Sequence, residues 1–195
     1  MSKTLNSDMA ALHLAVLPDA LCITLAAAPN PIADRDDQYP TSIHIDAAVR
    51  SKLRKLLNQH LADTLDLFSQ TKQAHWNAAD MHFHQFHKLF DRLAKDLEDH
   101  ANVIAKRITA LGGVAKATVR TAAADSRLPE LPLDLGDGKC TVGLLEERYA
   151  QLARTTRKAI DEAIRLGDAD TANLFIRVSR DLDQARWFLE AHLRA

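Results

Sequence analysis

Two histidines and an aspartate in the first half of the chain have the spacing of metal ligands held between two helices. His75 lies in the segment Lys72–Asn77, and His87 and Asp91 follow, four residues apart. Residues four apart share one face of a helix, so an imidazole and a carboxylate stand side by side. Imidazole nitrogens and carboxylate oxygens are ligands for iron, zinc and other divalent metals. The pattern therefore indicates a metal site where two helices meet.

The same face of the second helix continues into Asn102 and Lys106, where a metal site of this plan would use carboxylates. Asp91 and Asn102 are about 16 Å apart along a helix, so they cannot share one metal ion within a chain. Two antiparallel copies of the helix place 91 opposite 102 and 87 opposite 106 in a single register, centred between Asp96 and Leu97. A two-fold dimer would thus build two equivalent sites.

The other histidines near this segment are not predicted to be ligands of this site. The chain has no Glu-x-x-His pair, which is the motif of di-iron sites inside ferritin-like bundles, so that intra-bundle site is not expected. His82 and His84 are predicted to be surface or interface residues. The alternative is that these imidazoles recruit zinc, copper or iron in another arrangement.

Apolar residues at helical spacing predict four long helices. The first runs from an N-cap at Asp46, and the second ends at Gly112-Gly113. The third spans about 142–166, and the fourth begins near Asp170 and carries Trp187, which we predict to be a core residue.

A proline- and glycine-containing connection, residues 114–140, is too long for a tight turn and predicts a crossover. Two helical hairpins joined in this way make the fold class all-α, a ferritin-like four-helix bundle with a long crossover between helices 2 and 3. Residues 1–40 are predicted to be a partly ordered N-terminal tail and residues 41–195 the bundle.

Composition and charge exclude several classes of protein. The 195 residues are 47% hydrophobic with a formal net charge of -1, so no basic excess indicates nucleic-acid binding. Two cysteines exclude a disulfide framework and suit a reducing compartment. The apolar run 21–28 is too short to span a membrane. We expect a cytoplasmic protein with no membrane partner.

Taken together, these segments resemble the DNA-protecting proteins of starved cells, the Dps or mini-ferritin family. The similarity extends from about residue 43 to residue 193. Its carriers are Lys72 to Asn77, His87, Asp91, Ala105 to Gly113, Pro132 to Asp134, Arg148-Tyr149, Arg157 to Ile160, Ser179 to Asp183 and Trp187. The resemblance implies a homo-dodecameric hollow shell built from two-fold dimers. There, an inter-subunit ferroxidase site oxidises iron(II), preferably with peroxide, and a ferric mineral is stored inside.

The resemblance also assigns roles at the site. His75, His87 and Asp91 match three family ligands from one subunit, and Trp76 is predicted to line the site or an interface. Positions 102 and 106, further along the second helix, correspond to an aspartate and a glutamate that serve in the family as metal ligands from the partner subunit.

The replacement of these two carboxylates removes the negative charge that would hold the metal. Lys106 would place an ammonium about 4 Å from a dication, a repulsion of about 8 kcal/mol at an effective dielectric constant near 20. We therefore expect a weakened or rearranged ferroxidase site that binds iron weakly, with zinc or another divalent metal as a possible occupant. The alternative is a Lys106–Asp91 salt bridge between subunits in place of the metal.

The resemblance implies a second cation-handling feature at the start of the fourth helix. Asp168, Asp170 and Asn173 fall where the family has a three-fold pore that admits cations, with Asn173 in place of a common acid. The alternative is helix N-capping and favourable placement of acids at the helix dipole.

The charge of the N-terminal segment indicates whether the shell would bind DNA. Residues 1–40 contain one lysine and one arginine against five aspartates, whereas phosphate contacts need clustered cations. DNA is therefore an unlikely partner. Two functional hypotheses result: an iron-handling mini-ferritin with an impaired ferroxidase, or a structural or binding cage of the same fold that has lost this chemistry.

Overall fold

The structure is a computed structural model that describes residues 39–79 and 82–194. Within these ranges it contains helices and no strand. The helices are α1 (Ala47–Asn77), α2 (Phe83–Ala110), α3 (Val119–Asp125), α4 (Gly138–Arg165) and α5 (Ala169–Leu193). Hairpin α1–α2 and hairpin α4–α5 pack together as the bundle, and α3 lies against α1. The predicted four-helix bundle with a long crossover is confirmed, whereas most of the predicted tail lies outside the described residues.

Capping residues explain where the helices begin. Asp46 accepts a hydrogen bond from the Ala48 backbone N–H at 2.8 Å, as the N-cap prediction required. The predicted start of the third long helix near residue 142 is wrong, because α4 begins at Gly138. Asp137 caps it by accepting from the Cys140 N–H at 2.7 Å, and a capped glycine can occupy the first turn. The short helix α3 was not predicted.

The core consists of two apolar clusters within the bundle. In the first, Leu53 and Leu57 of α1 pack with Ile104 and Ile108 of α2 and Phe175 of α5. The second lies closer to the predicted site and includes Ala74, Phe86, Phe90, Leu97, Tyr149 and Leu182. Full burial of one such large apolar side chain contributes roughly 1.5–3 kcal/mol, so these two clusters determine how the helices are paired.

Trp187 does not belong to either cluster. Its side chain is 57% exposed in the single chain, so its prediction as a core residue is wrong. Helical spacing placed it next to core positions, but Leu182 and Leu189 supply the buried face of α5. None of the helices in the described part of the chain is long and apolar enough to cross a membrane.

Buried polar side chains attach the crossover to the bundle. Arg127 donates through Nε to Asp63 Oδ2 at 3.0 Å, and Arg148 donates through Nε to Gln70 Oε1 at 2.9 Å. Arg148 also donates to the Glu130 carbonyl at 2.6 Å. Asp63 and Arg148 are almost fully buried, so either charge would be costly without its partners. We call Asp63, Gln70, Arg127 and Arg148 the crossover anchor.

The turn after α2 depends on two adjacent glycines. Gly112 has φ +76°, and a Cβ atom there would lie 2.5 Å from the Tyr39 carbonyl oxygen. Tyr39 in turn donates its backbone N–H to the Gly112 carbonyl at 2.8 Å. At Gly113 a Cβ would lie 2.2 Å from Arg54 Cδ. The pair therefore ends α2 and lets the chain before α1 cross over it closely.

Replacing Gly112 with alanine should lower the free energy of unfolding by about 1–3 kcal/mol, because a left-handed conformation and a backbone clash are both penalised. Urea unfolding at one fixed protein concentration measures the change. Gly143→Ala is the matched control, since its added Cβ would meet only Leu193 Cδ2 at 3.9 Å. That control should gain about 0.5–1 kcal/mol from helix propensity. Equal effects of the two substitutions would contradict this account of the turn.

One buried histidine makes stability depend on pH. The His60 ring packs 4.8 Å from that of Phe175, and its Nε2 finds no hydrogen-bond partner among the described residues. Burial lowers the pKa of His60 below its ordinary value, with the charge of Arg127 acting in the same direction and the Leu56 carbonyl and Asp63 opposing it. The native state therefore holds this ring in its neutral form.

Because the pKa of His60 is lower in the folded protein than in the unfolded chain, the unfolded chain binds a proton at a higher pH than the folded protein does. The free energy of unfolding therefore decreases as pH falls below about 6.5. His60→Leu should therefore show a smaller drop in urea midpoint between pH 7.5 and pH 5.5 than the wild type. The exposed His44 serves as control, because His44→Gln should keep the wild-type pH dependence. An unchanged pH dependence in His60→Leu would rule out this source of acid sensitivity.

Candidate metal centre

The α1–α2 hairpin brings His75 and His87 into direct contact. Their rings stack with centroids 3.7 Å apart at an interplanar angle of 26°. His75 lies in the last turn of α1 and His87 in the second turn of α2, and the neighbouring Ala74 and Phe86 are buried in the core. The packing of the hairpin thus places the two histidines together, although they are 12 residues apart in the chain.

Reciprocal hydrogen bonds determine how the two rings are oriented. His75 Nδ1 lies 2.8 Å from the His87 carbonyl oxygen, and His87 Nδ1 lies 3.1 Å from the His75 carbonyl oxygen. A carbonyl can only accept, so each Nδ1 carries the proton and donates it. In the neutral ring, each Nε2 then keeps a free lone pair. Metal-binding histidines are oriented by this kind of bond to the second ring nitrogen.

The third predicted ligand, Asp91, stands beside this pair. Its Oδ1 is 4.0 Å from His75 Nε2, and its side chain is 62% exposed. The three residues predicted from sequence spacing therefore come together within one chain. Within the described ranges of a single chain, no three histidine, cysteine or acidic side chains are grouped closely enough to form a complete metal site.

Lys72 is a neighbour that sequence reasoning missed. Its Nζ donates to Asp91 Oδ1 at 3.0 Å and lies 5.5 Å from the centroid of the Trp76 ring. The hydrogen bond from Lys72 and its positive charge lower the pKa of Asp91. A signal was present, since Lys72 lies three residues before His75 and so on the same helix face. The ammonium neutralises the carboxylate that a metal would use.

The remaining predicted residues lie around or away from this cluster. Trp76 is 70% exposed in the single chain, and its place at a site or an interface stays a prediction. His82 and His84 are also exposed, as predicted. Asn102 and Lys106 are exposed further along α2, and helix geometry keeps them far from Asp91 of their own chain. Only a second subunit can bring them to the site.

The acidic residues at the start of α5 differ sharply in exposure. Asp168 is 4% exposed and accepts two hydrogen bonds of 2.8 Å from Arg107 Nη2. It also caps α5 by accepting from the Thr171 N–H at 3.3 Å. Burial acts to raise the pKa of Asp168, but hydrogen bonds from Thr171 and Arg107 outweigh it and leave the pKa below its ordinary value. Asp168 therefore serves as an N-cap, while Asp170 and Asn173 are exposed.

A second buried histidine pairs with an acid where the sequence offered no signal. His100 Nε2 of α2 lies 3.0 Å from Asp181 Oδ2 of α5, and His100 is 7% exposed. These residues are 81 positions apart, so only the packing of α2 on α5 reveals the pair.

The chain matches known proteins over most of its length. Residues 54–195 match the model of the ferritin-like domain. A protein of Agrobacterium fabrum named "DNA protection during starvation protein" is 36% identical over 156 residues, covering 80% of this chain and 96% of that protein. The chain is a member of the Dps, or mini-ferritin, family.

Solved structures of Dps proteins agree with this assignment. DpsA14 from Streptomyces coelicolor superimposes with a TM-score of 0.76 at 32% identity, covering 80% of this chain and 94% of that one. An archaeal Dps homologue from Halobacterium salinarum gives 0.77 at 26% identity, covering 88% and 93%. The bundle described here is thus the Dps fold.

In this Dps protein, removal of the Lys72 charge should strengthen metal binding. Lys72→Met frees Asp91 from its ion pair, so Co(II), followed by its visible absorption, should bind several-fold more tightly than to the wild type. Lys88→Met is the matched control, because Lys88 is exposed on α2 and the charges that act on Asp91 are those of Lys72, His75 and His87. Equal Co(II) affinity in the two variants would show that Lys72 does not compete for the site.

Proposed function

We propose that this Dps protein assembles as a dodecameric shell of two-fold dimers that binds and stores iron and limits damage by iron and peroxide. Iron(II) is the substrate and cargo, oxidised at sites between subunits. The observation that carries the proposal is the stacked pair of His75 and His87, whose two Nδ1–H bonds to backbone carbonyls leave the lone pair of each Nε2 free for a metal. An arrangement that holds two imidazoles in one tautomer suits metal binding better than packing alone.

The charge of the site argues for a weakened ferroxidase. Asp91 is the only carboxylate of the five positions, and Lys72 already pairs with it at 3.0 Å. In the antiparallel dimer, the partner's Lys106 adds a second ammonium opposite His87. Each ammonium competes with iron(II) for the Asp91 carboxylate and also repels the iron(II) ion. Iron therefore binds weakly unless a lysine side chain moves aside. Zinc, which binds well to imidazole alone, is an alternative occupant.

Iron would enter the proposed shell near the N-terminal end of α5. Asp168 is buried in its ion pair with Arg107, so Asp170 and Asn173 are the exposed candidates for a three-fold pore, and Arg107 Nη1 also lies 3.9 Å from Asp170 Oδ2. One carboxylate per subunit attracts cations less strongly than several would. We place the shell in the cytoplasm, where the exposed Cys140 thiol would stay reduced. Residues 1–40 carry one lysine and one arginine against five aspartates, and phosphate contacts need clustered cations, so we do not propose DNA as a partner.

The second candidate is a shell of the same fold without ferroxidase chemistry. Lys106, in place of a family carboxylate, favours it, because Lys72 and the partner's Lys106 around Asp91 can form an ion-pair network that needs no metal. In that case the particle has a structural or binding role.

Stopped-flow absorbance after mixing anaerobic iron(II) with peroxide distinguishes the two candidates. The wild type should oxidise iron(II) faster than a protein-free blank. Asn102→Asp with Lys106→Glu should raise the rate about tenfold, equivalent to about 1.4 kcal/mol of barrier, because carboxylates return to the partner's side of the site.

Lys158→Glu, an exposed charge reversal on α4, is the control for the Lys106→Glu part of the charge change and should leave the rate unchanged. Light scattering checks that every variant forms the same particle. A wild-type rate equal to the blank, with rescue in the double variant, supports the non-catalytic shell. No gain in the double variant would mean that positions 102 and 106 do not belong to the site.

A further inference from the structure

Apart from the Lys72–Asp91 ion pair, one face of α2 is largely exposed in the part of the chain that the structure describes. Residues at steps of three and four follow this face: His84, His87, Asp91, Lys95, Glu98, Asn102 and Lys106. All of them except the partly buried His87 are exposed. The opposite face of the helix is buried in the core through Phe90, Leu97 and Ile104. We call the exposed set the α2 stripe; it is polar and carries both signs of charge.

Two charges at the centre of the α2 stripe form no ion pair with other described residues of the chain. Lys95 and Glu98 are exposed, and the ion pairs found among the described residues include neither of them, whereas Asp91 pairs with Lys72. An antiparallel partner centred between Asp96 and Leu97 places Lys95 directly opposite the partner's Glu98. Two-fold symmetry repeats the contact on the other side of the axis.

The same two residues penalise neighbouring registers. If the two-fold axis between the helices passed through position 95, Lys95 would face the partner's Lys95. If the axis passed through position 98, Glu98 would face the partner's Glu98. Exposed ion pairs contribute little affinity, but opposing like charges discriminate strongly between arrangements. The charges therefore select one register, and apolar surface elsewhere, such as the exposed Trp76, can supply affinity.

We propose that Lys95 and Glu98 form two reciprocal ion pairs between antiparallel α2 helices of two copies of this chain. These pairs set the register in which Asp91 meets the partner's Asn102 and His87 meets the partner's Lys106. Lys95 and Glu98 are positioning residues, because they act on the site only through the alignment of the helices. The inference rests on the proposed function for the use of that site, but the helix contact itself can be measured without iron.

Carbodiimide cross-linking of an isotopically mixed particle tests the contact directly. Equal amounts of unlabelled and ¹⁵N-labelled chains are unfolded and refolded together, then treated with a carbodiimide and digested. If the pairs join two subunits, about half of the Lys95–Glu98 cross-linked peptides will contain one light and one heavy partner, as random pairing requires. Cross-links that are all light or all heavy would show a link within one chain and would overturn the proposal.

Charge reversal provides a second measurement. Lys95→Glu alone and Glu98→Lys alone each set like charges opposite each other at both contacts, so light scattering at low ionic strength should show severalfold less assembled particle. When the two variants are refolded together, every mixed pair is complementary and assembly should recover to the wild-type level. Normal assembly of the single variants, or no recovery in the mixture, would overturn the proposal.

Lys55→Glu and Asp161→Lys are the matched controls, since both positions are exposed on other helices. They should assemble normally alone and should gain nothing on mixing. The measurements also separate this inference from the proposed function. Mixed-isotope cross-links in a particle without iron oxidation reject only the function, and iron oxidation without those cross-links rejects only the register.

Discussion

The apolar contact between α1 and α2 carries His75 and His87 to within 3.7 Å of each other, measured between ring centroids. The candidate site depends on this contact, because a shift of either helix by one turn, about 5.4 Å, would separate the rings. The buried neighbours Ala74 and Phe86 leave little room for such a shift. The hydrophobic effect thus aligns the helices, and the reciprocal hydrogen bonds then orient the imidazoles.

The crossover anchor plays a comparable role at the level of topology. Asp63 and Arg148 are charged groups buried on α1 and α4, and the chain between α3 and α4 supplies many of their partners. Buried ion pairs add little net stability compared with apolar contacts. Their loss is expensive, however, so any path of the crossover that leaves Asp63 without Arg127 is disfavoured. These residues therefore specify the route of the chain more than they stabilise it.

We propose that charge distinguishes this site from the Dps pattern it resembles, because Asn102 and Lys106 stand where the family has carboxylates. The hairpin brings the two imidazoles and Asp91 close together, and Lys72, which belongs to the segment that carries the resemblance, pairs with Asp91 within the chain. A retained geometry with an altered charge balance is compatible with weak iron oxidation and with its loss. The α2 stripe connects the two questions, because the helix that carries His87 and Asp91 also presents the surface through which a partner would complete the site.

Much of the fold could be predicted from the sequence because local rules govern it. Apolar spacing and the Asp46 cap define α1, Gly112-Gly113 ends α2, and the long connection implies a crossover. The grouping of His75, His87 and Asp91 was also predictable, since helix periodicity and a short turn bring them together. The early start of α4 was missed because glycines at 136 and 138 suggest a loop unless Asp137 is recognised as a cap.

Other features were decided only by tertiary structure. The exposure of Trp187, the Lys72–Asp91 ion pair, the His100–Asp181 contact and the burial of Asp168 beneath Arg107 all depend on which helix faces which. Periodicity shows that a residue lies on a face, but not what stands opposite it. The sequence alone therefore determined the four long helices, their order and the types of the candidate ligands. Packing determined the charges around those ligands, because partners distant in the chain meet only when the apolar faces are buried.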